Sequence, residues 1–452
     1  MADASTPNIS FDQLTEQDKK EAFRKVLVSS FLGNFIEWFD YASYSYLATV
    51  LAYVFFPEGD HTVATIMTFG VFALSFLIRP LGSLFWGPYG DKHGRRNALA
   101  ISILLMTGAT GLIGFLPPYA MIGAAAPLLL LLLRCCQSFS AAGEYAGAAT
   151  FIAEYTDTKH RGFYASFVPA STAIGLLVGS LLATFMYNTW GADSQFMINW
   201  GWRFFFWLAI PLGWITHYIR TKVQDSPVYQ VMEARIEENA DDDLATKQDH
   251  PLRNLFTNYP KTALIAFGSC ILNAVGFYAV LTFMPTYLET TLGYDAGAAS
   301  TITSITLVAY IVMVFLSGKL SDTFGRKKML LIAAAAFVVL TVPMFMLMGT
   351  MQFWLILLAQ LVMNFLLCIN DGSLPSYMIE TFPTEVRYTG YAFVFSLANG
   401  LFGGSTSYIA LSLTEATGSA LAPAWYMVVI AAIALICIAI SHENSNKDLN
   451  EI

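Results

Sequence analysis

Apolar residues in this chain arrive in long blocks, one after another, and that arrangement leaves it few solvents to fold in except lipid. A bilayer core of ~30 Å is crossed by roughly 20 apolar residues wound as a helix. Blocks of that length recur from one end to the other. Read between polar breaks, they predict twelve spans at 26–55, 64–86, 97–116, 122–153, 162–187 and 203–220, then 261–289, 298–317, 329–349, 352–380, 388–413 and 422–441. Only 12% of the 452 residues are charged, against about 25% in soluble domains. Too few charges remain to cover a water-facing surface, so the fold class is all-α integral membrane.

The basic residues orient the set. Of 24 Lys and Arg, all but Arg79, Arg134 and Arg203 fall in or beside the tails and alternate loops. Under the positive-inside rule both termini are then cytoplasmic and the number of spans is even. The expected organisation is a cytoplasmic tail (1–25), a six-helix bundle (26–220), a cytoplasmic linker (221–260), a second six-helix bundle (261–441) and a cytoplasmic tail (442–452). The linker, acidic from Glu233 to Asp249, is too short for a catalytic domain, so no enzyme is expected. The net charge of −8 gives no reason to expect a nucleic-acid partner. Met1 to Lys25 lacks the layout of a signal peptide. The cysteines lie in apolar blocks without a CxxC, and the histidines fall in loops or near span ends, so neither metal nor cofactor is expected.

The chain also repeats itself. Gly87 to Arg96 reads GPYGDKHGRR and Gly318 to Lys327 reads GKLSDTFGRK, pairing Asp91 with Asp322 and Arg95 with Arg326 at an offset of 322 − 91 = 231. A second echo pairs Glu154 and Arg161 with Glu380 and Arg387, at 387 − 161 = 226. Two echoes at nearly one offset predict two pseudo-symmetric halves, with a solute site near the midplane between them. Each motif reads as a tight glycine turn between antiparallel helices. Its aspartate is placed to accept hydrogen bonds from the start of a neighbouring helix, where the macrodipole favours an anion. Contacts of that kind shut one side of a two-state protein, which makes Asp91, Arg95, Glu154, Arg161, Asp322, Arg326, Glu380 and Arg387 candidate gate residues. The plainer alternative for the basic residues is topological anchoring.

These motifs resemble the major facilitator superfamily, whose signature after the second helix is matched by Gly87, Asp91, Lys92, Gly94, Arg95 and Arg96. The fourth-helix pattern of Arg followed three residues later by Gln is matched by Arg134 and Gln137. More narrowly, GNFIEWFDY (Gly33 to Tyr41), FLIRPLGSLFWG (Phe76 to Gly87), SAAGEYAGA (Ser140 to Ala148), RGFYASF (Arg161 to Phe167) and WGWRFFF (Trp200 to Phe206) resemble the metabolite:proton symporters. That group includes carriers of proline/betaine, citrate, 2-oxoglutarate and shikimate. The resemblance implies a multi-pass protein of the inner or plasma membrane that couples solute import to protons by alternating access. The 442–452 tail carries no heptads, so osmotic activation is not implied.

Charges inside the spans are the remaining signal, because each one costs ~2.5–3.5 kcal/mol at the bilayer centre. Span 1 carries Glu37 and Asp40; span 4 carries Arg134; span 10 carries Asp371. Depth counting brings Glu37 and Arg134 both to mid-membrane, so they are expected to meet, with Glu37 as the proton carrier and Asp40 and Asp371 as rivals. A permanent structural ion pair is the alternative. Arg79, beside Pro80, is expected to act in gating and Pro80 to kink span 2. Arg134, Gln137, Asn34, Tyr41, Tyr44, Tyr278 and Tyr391 are candidate solute contacts. One arginine for a carboxylate and aromatic faces for an ammonium suit a zwitterion such as proline or glycine betaine. Span 7 looks like the proline/betaine members, while GLFGGSTSYIA (Gly400 to Ala410) looks like the carboxylate members, which keeps a carboxylate carrier open. A sensor or scaffold built on a transporter fold is the remote third reading.

Overall fold

A computed structural model describes residues 15–56, 61–191, 194–239, 250–445 and 447–449, and among them there is helix but no strand. The first fourteen residues of the N-terminal tail, residues 240–249 of the linker's acidic stretch and residues 450–452 lie outside the described residues.

The twelve spans are all present, several of them as broken helices. Span 1 is Glu16–Tyr46 continued by Ala48–Phe55, and span 2 is His61–Phe76 followed by Arg79–His93. Span 3 is Arg95–Ile113, span 4 is Ala125–Ala141 with Glu144–Glu154, span 5 is Arg161–Ala165 with Phe167–Trp190, and span 6 is Trp202–Thr221. Span 7 runs from Pro260–Phe277 through widened π-helical turns to Thr291. Spans 8, 9 and 10 are Ala296–Phe324, Arg326–Met348 and Phe353–Thr381. Span 11 joins Arg387–Ala398 to Thr406–Thr417 across a π-helical turn at Asn399–Gly403, and span 12 is Ala422–Ile440. Among the described residues nine of these pass as membrane spans on length and hydropathy alone. The others are span 1 and span 6, which carry charge, and span 11, which is broken.

One sequence expectation needs correction. The presumed loops at Gly87 to Arg96 and Gly318 to Lys327 are almost wholly helical: spans 2 and 8 run on to His93 and Phe324. Only Gly94 (φ 90°) and Gly325 (φ 94°) lie outside, each turning the chain in a left-handed conformation that suits a residue without a Cβ. The linker is also partly helical, at Pro227–Asn239 and Pro251–Asn258. Span 2 does break, at Leu77 and Ile78, just before Pro80, which has no N–H to continue the helical ladder.

Spans 1–6 and 7–12 form two bundles that meet chiefly along spans 2 and 11 and along spans 5 and 8. Lipid drives no hydrophobic association between helices, so packing relies on small residues and buried polar contacts. Gly175 and Gly179 let span 5 lie against the backbone of span 1, where a Cβ on Gly175 would come within 2.8 Å of the Phe35 carbonyl. The Asn34 amide on span 1 donates into span 5, toward the Val168 carbonyl (2.9 Å), Ser171 Oγ (2.8 Å) and Thr172 Oγ1 (2.7 Å). Where span 4 breaks, the Ala142 carbonyl accepts from Ser396 Oγ (3.0 Å) of span 11, and the Gly143 carbonyl, which also takes the Gly147 N–H (2.8 Å), accepts from Tyr388 Oη (2.9 Å) of the same span. Unsatisfied backbone inside a membrane costs several kcal/mol per group, so the other half of the molecule repairs the break.

Candidate functional site

The repeated motifs converge on one face of the molecule, the face that carries the basic turns. Asp91, at the end of span 2, accepts from the backbone N–H groups of Tyr388 (3.2 Å) and Thr389 (2.8 Å) at the start of span 11. Its counterpart Asp322 accepts from Gly162 (2.7 Å) and Phe163 (2.8 Å) at the start of span 5. Each bond crosses from one half to the other, and each places an anion on a helix N-terminus. Glu154 meets Arg387 across the interface at 3.0 Å and Arg95 within its own half at 3.3 Å. Glu380 meets Arg161 across the interface at 2.8 Å and Arg326 within its own half at 3.4 Å. All eight motif residues are thus brought together, in two pseudo-symmetric quartets. The leading glycines join them: a Cβ on Gly87 would meet the Thr389 Cα at 2.7 Å, and one on Gly318 the Gly162 carbonyl at 2.7 Å.

A third echo went unseen in the sequence. Asp225, just after span 6, accepts from the backbone N–H of Arg95 (3.0 Å) and of Arg96 (3.4 Å), capping span 3. Glu443, just after span 12, accepts from Lys327 N–H (2.9 Å), capping span 9. Burial pushes the Asp225 carboxyl up from its ordinary value, against the backbone N–H groups and Arg95 that favour its anion. The signal was an acid shortly after the last span of each half, too short a match to stand out. Beyond it Lys447 and Leu449 of the C-terminal tail lie over the same face, where the Leu449 carbonyl accepts from Arg387 (2.9 Å) and the Lys447 carbonyl from Arg161 (3.4 Å).

At mid-membrane the expected meeting of Glu37 with Arg134 does not occur. Glu37 pairs with Arg79 of span 2, which also donates to Tyr41 Oη at 2.7 Å. Arg134 pairs instead with Asp40 at 2.6 Å and donates to Gln137 Oε1 at 2.9 Å, while the Gln137 amide donates to Asp40 at 3.0 Å. Tyr41, Tyr44 and Phe72 stack under the Arg134 guanidinium, Tyr44 at 4.3 Å. The physical reason is rotational: depth along a helix was counted correctly, but depth does not say which neighbour a side chain faces. Asp371 takes hydrogen bonds from Asn273 of span 7 and Tyr310 of span 8. Each of the other buried carboxylates (Glu37, Asp40, Asp91, Glu144, Glu154 and Glu380) is matched by an arginine.

Between the two halves lies a small cavity. Trp38, Tyr145 and Thr172 line it from the first half, and Asn273, Phe277, Asp371, Phe395 and Asn399 from the second. Two ring pairs bridge the halves there: Trp38 with Phe277 (centroids 5.0 Å apart) and Tyr145 stacked on Phe395 (4.4 Å). Of the sequence candidates only Asp371 reaches this lining. Asn34 is spent on span 5, Tyr41 and Tyr44 on the arginines and the Thr68 carbonyl. Tyr278 sits one layer back against Phe76 and Trp38, and Tyr391 packs on Phe395; both hydroxyls are buried without a partner. Trp38 and Asn399 were missed because little in the sequence separates them from residues that pack between helices or face lipid. The signal for Asn399 was an amide deep in an apolar span.

Comparison with known proteins agrees with this architecture. Residues 25–452 match the family described as "Sugar (and other) transporter". The chain is 36% identical over 441 residues to the glycine betaine/proline/ectoine/pipecolic acid transporter OusA of Dickeya dadantii, covering 98% of this chain and 87% of that protein. It is 34% identical over 426 residues to the proline/betaine transporter of Escherichia coli K12, covering 94% and 85%. In fold it is similar to the major facilitator superfamily proton:xylose symporter XylE of E. coli, with a TM-score of 0.78 at 17% identity, covering 96% of this chain and 98% of that one.

Proposed function

The chain belongs to the sugar (and other) transporter family of the major facilitator superfamily, a multi-pass membrane family of carriers and not of enzymes, and from that premise we propose that it imports a zwitterionic osmolyte of the proline/glycine betaine kind by proton symport. The observation that carries the reading is the aromatic-walled cavity at the junction of two halves whose basic face is bolted shut. A site between rocking halves is what alternating access requires. In this state the cavity has room for little more than a water molecule, so the halves must part to admit a solute.

The basic face is taken as cytoplasmic by the positive-inside rule, and the membrane as the inner or plasma membrane. With that face closed, the solute is received from outside once the opposite side of the cavity opens. Proton coupling is assigned to Glu37, with Arg79 as its partner, and Asp40 with Arg134 is the rival pair. A proton on Glu37 removes the anion that holds Arg79 and frees the guanidinium for the solute's carboxylate. On the cytoplasmic side, solute departure returns Arg79 to Glu37 and expels the proton. Opening that side requires the helix-start contacts of Asp91 and Asp322 and the pairs Glu154–Arg387 and Glu380–Arg161 to break together.

Proteoliposomes under an imposed inward proton gradient test this. Glycine betaine or proline should accumulate above equilibrium and lose that accumulation when the gradient is collapsed. Accumulation of citrate or 2-oxoglutarate in their place would assign the chain to the carboxylate carriers. Accumulation of no solute would leave the sensor reading. Orientation is checked with His442→Cys on a cysteine-free background: labelling from the outer side overturns the topology.

A further inference from the structure

Seven carboxylates are buried among the described residues, and six of them have an arginine within salt-bridge distance. Asp371 is the seventh. Its two oxygens accept from the Asn273 amide and the Tyr310 hydroxyl, which are neutral donors, and the group faces the cavity between the halves. Every buried arginine nearby is already engaged: Arg79 by Glu37, Arg134 by Asp40, Arg220 by Glu144. Among the described residues the cavity therefore presents one fixed acid and no free cation. The same cavity is lined by two aromatic pairs, Trp38 with Phe277 and Tyr145 with Phe395.

We infer that Asp371 and these rings form the receptor for a positively charged onium group of the transported solute. A buried carboxylate without a counter-ion is unfavourable until a cation arrives, and ring faces attract ammonium groups that have shed their water. Asn273 and Tyr310 fix the orientation of the carboxylate while leaving its charge uncompensated. Because each ring pair joins one half to the other, a bound onium touches both halves and favours the state in which they close on it. This deepens the reading of the protein as an osmolyte carrier, and rests on it. It also removes Asp371 from the proton-coupling candidates, since a receptor that meets a cation in every cycle has to stay ionised when the solute binds. It assigns specificity, in that an anion of equal shape without the positive nitrogen is rejected.

The experiment is equilibrium binding of radiolabelled glycine betaine to the purified full-length protein, competed by 3,3-dimethylbutanoate, in which carbon replaces the quaternary nitrogen. The parent should prefer glycine betaine by at least ~30-fold, the scale expected for a buried charge pair. Asp371→Asn should abolish that preference by weakening glycine betaine ~30-fold while changing the isostere less than ~3-fold. Asp371→Glu should restore part of it. Phe277→Leu provides a second variant if Asp371→Asn cannot be recovered folded, with an expected loss for glycine betaine of ~3–30-fold and none for the isostere. Unchanged glycine betaine affinity in Asp371→Asn, with only gradient-driven uptake lost, would make Asp371 a proton carrier and overturn the inference. Unchanged affinity in Phe277→Leu overturns the aromatic part, and overturns the whole when it is the only folded variant. Failure of the substrate reading shows earlier and separately: the parent itself would then bind a dicarboxylate in preference to glycine betaine, and the onium site would fall with it.

Discussion

The two halves of this molecule are alike at the basic face and unlike at mid-membrane. On the basic face each residue of the first quartet has a counterpart in the second, down to the pair of backbone N–H groups that each aspartate accepts. At the midplane the first half holds two closed arginine–carboxylate pairs, and the second holds an aspartate bonded to an amide and a phenol. A two-fold gate needs both halves to contribute equally, so a repeat serves it. Solute and proton chemistry needs groups of different charge facing one another, so there the repeat has been abandoned. Symmetry marks the moving parts, and its loss marks the chemistry.

The largest effect expected from breaking the asymmetry is at Glu37. An amide cannot carry a proton, so Glu37→Gln should eliminate gradient-driven accumulation of glycine betaine while leaving solute exchange across the vesicle membrane measurable. Its cost in folding is the unpaired Arg79, ~3–5 kcal/mol for a buried charge that loses its partner. Converting both residues, with Arg79→Gln, should recover much of that stability without recovering uptake. Parental accumulation in Glu37→Gln would move the proton to Asp40.

Breaking the symmetry at the gate comes next. Asp91→Asn and Asp322→Asn each weaken two charge-assisted bonds to a helix start, contacts of ~1.5–3 kcal/mol in all. Each should shift the balance of inward- and outward-open forms by roughly 10- to 100-fold, read from the rate at which a cysteine lining the cavity is labelled from either side. The two shifts should agree within about 3-fold, and the double variant should exceed both. A large effect from one aspartate and none from the other would show that the matching geometry hides unequal work. Gly87→Ala and Gly318→Ala should move the equilibrium in the same direction, because an added methyl meets backbone of the opposite half.

The sequence made these levels legible to different degrees. Twelve spans could be read because lipid imposes one demand on every one of them, and the gate because its motifs occur twice. The partners of Glu37 and Arg134 could not, since the choice between span 2 and span 4 depends on helix rotation, which packing decides. Depth also says nothing about what an asparagine holds: Asn34 and Asn273 look equivalent in their spans, yet one ties span 1 to span 5 away from the cavity while the other bonds Asp371 at its wall. Trp38, next to Glu37, was hidden for the reason that hides most aromatic residues in a membrane span, which is that lipid and solute prefer the same faces.

The smallest effect separates contacts within a half from contacts between halves. Asp225 caps span 3 and Glu443 caps span 9, and neither reaches across the interface through these bonds. Removing a capping acid costs ~0.5–2 kcal/mol, and a chain of this size should translate that into a fall in midpoint temperature of about 1–3 °C. Asp225, half-buried and bonded to two backbone N–H groups of span 3, should matter more than the exposed Glu443. The decisive readout is the labelling ratio: Asp225→Asn and Glu443→Gln should lower stability and leave the inward–outward balance where it was. Cap and gate are both acids on helix starts, in the same turns, a few residues apart in space. If the cap variants moved the balance as far as Asp91→Asn does, the gate would belong to the whole basic face and not to the bonds that cross it.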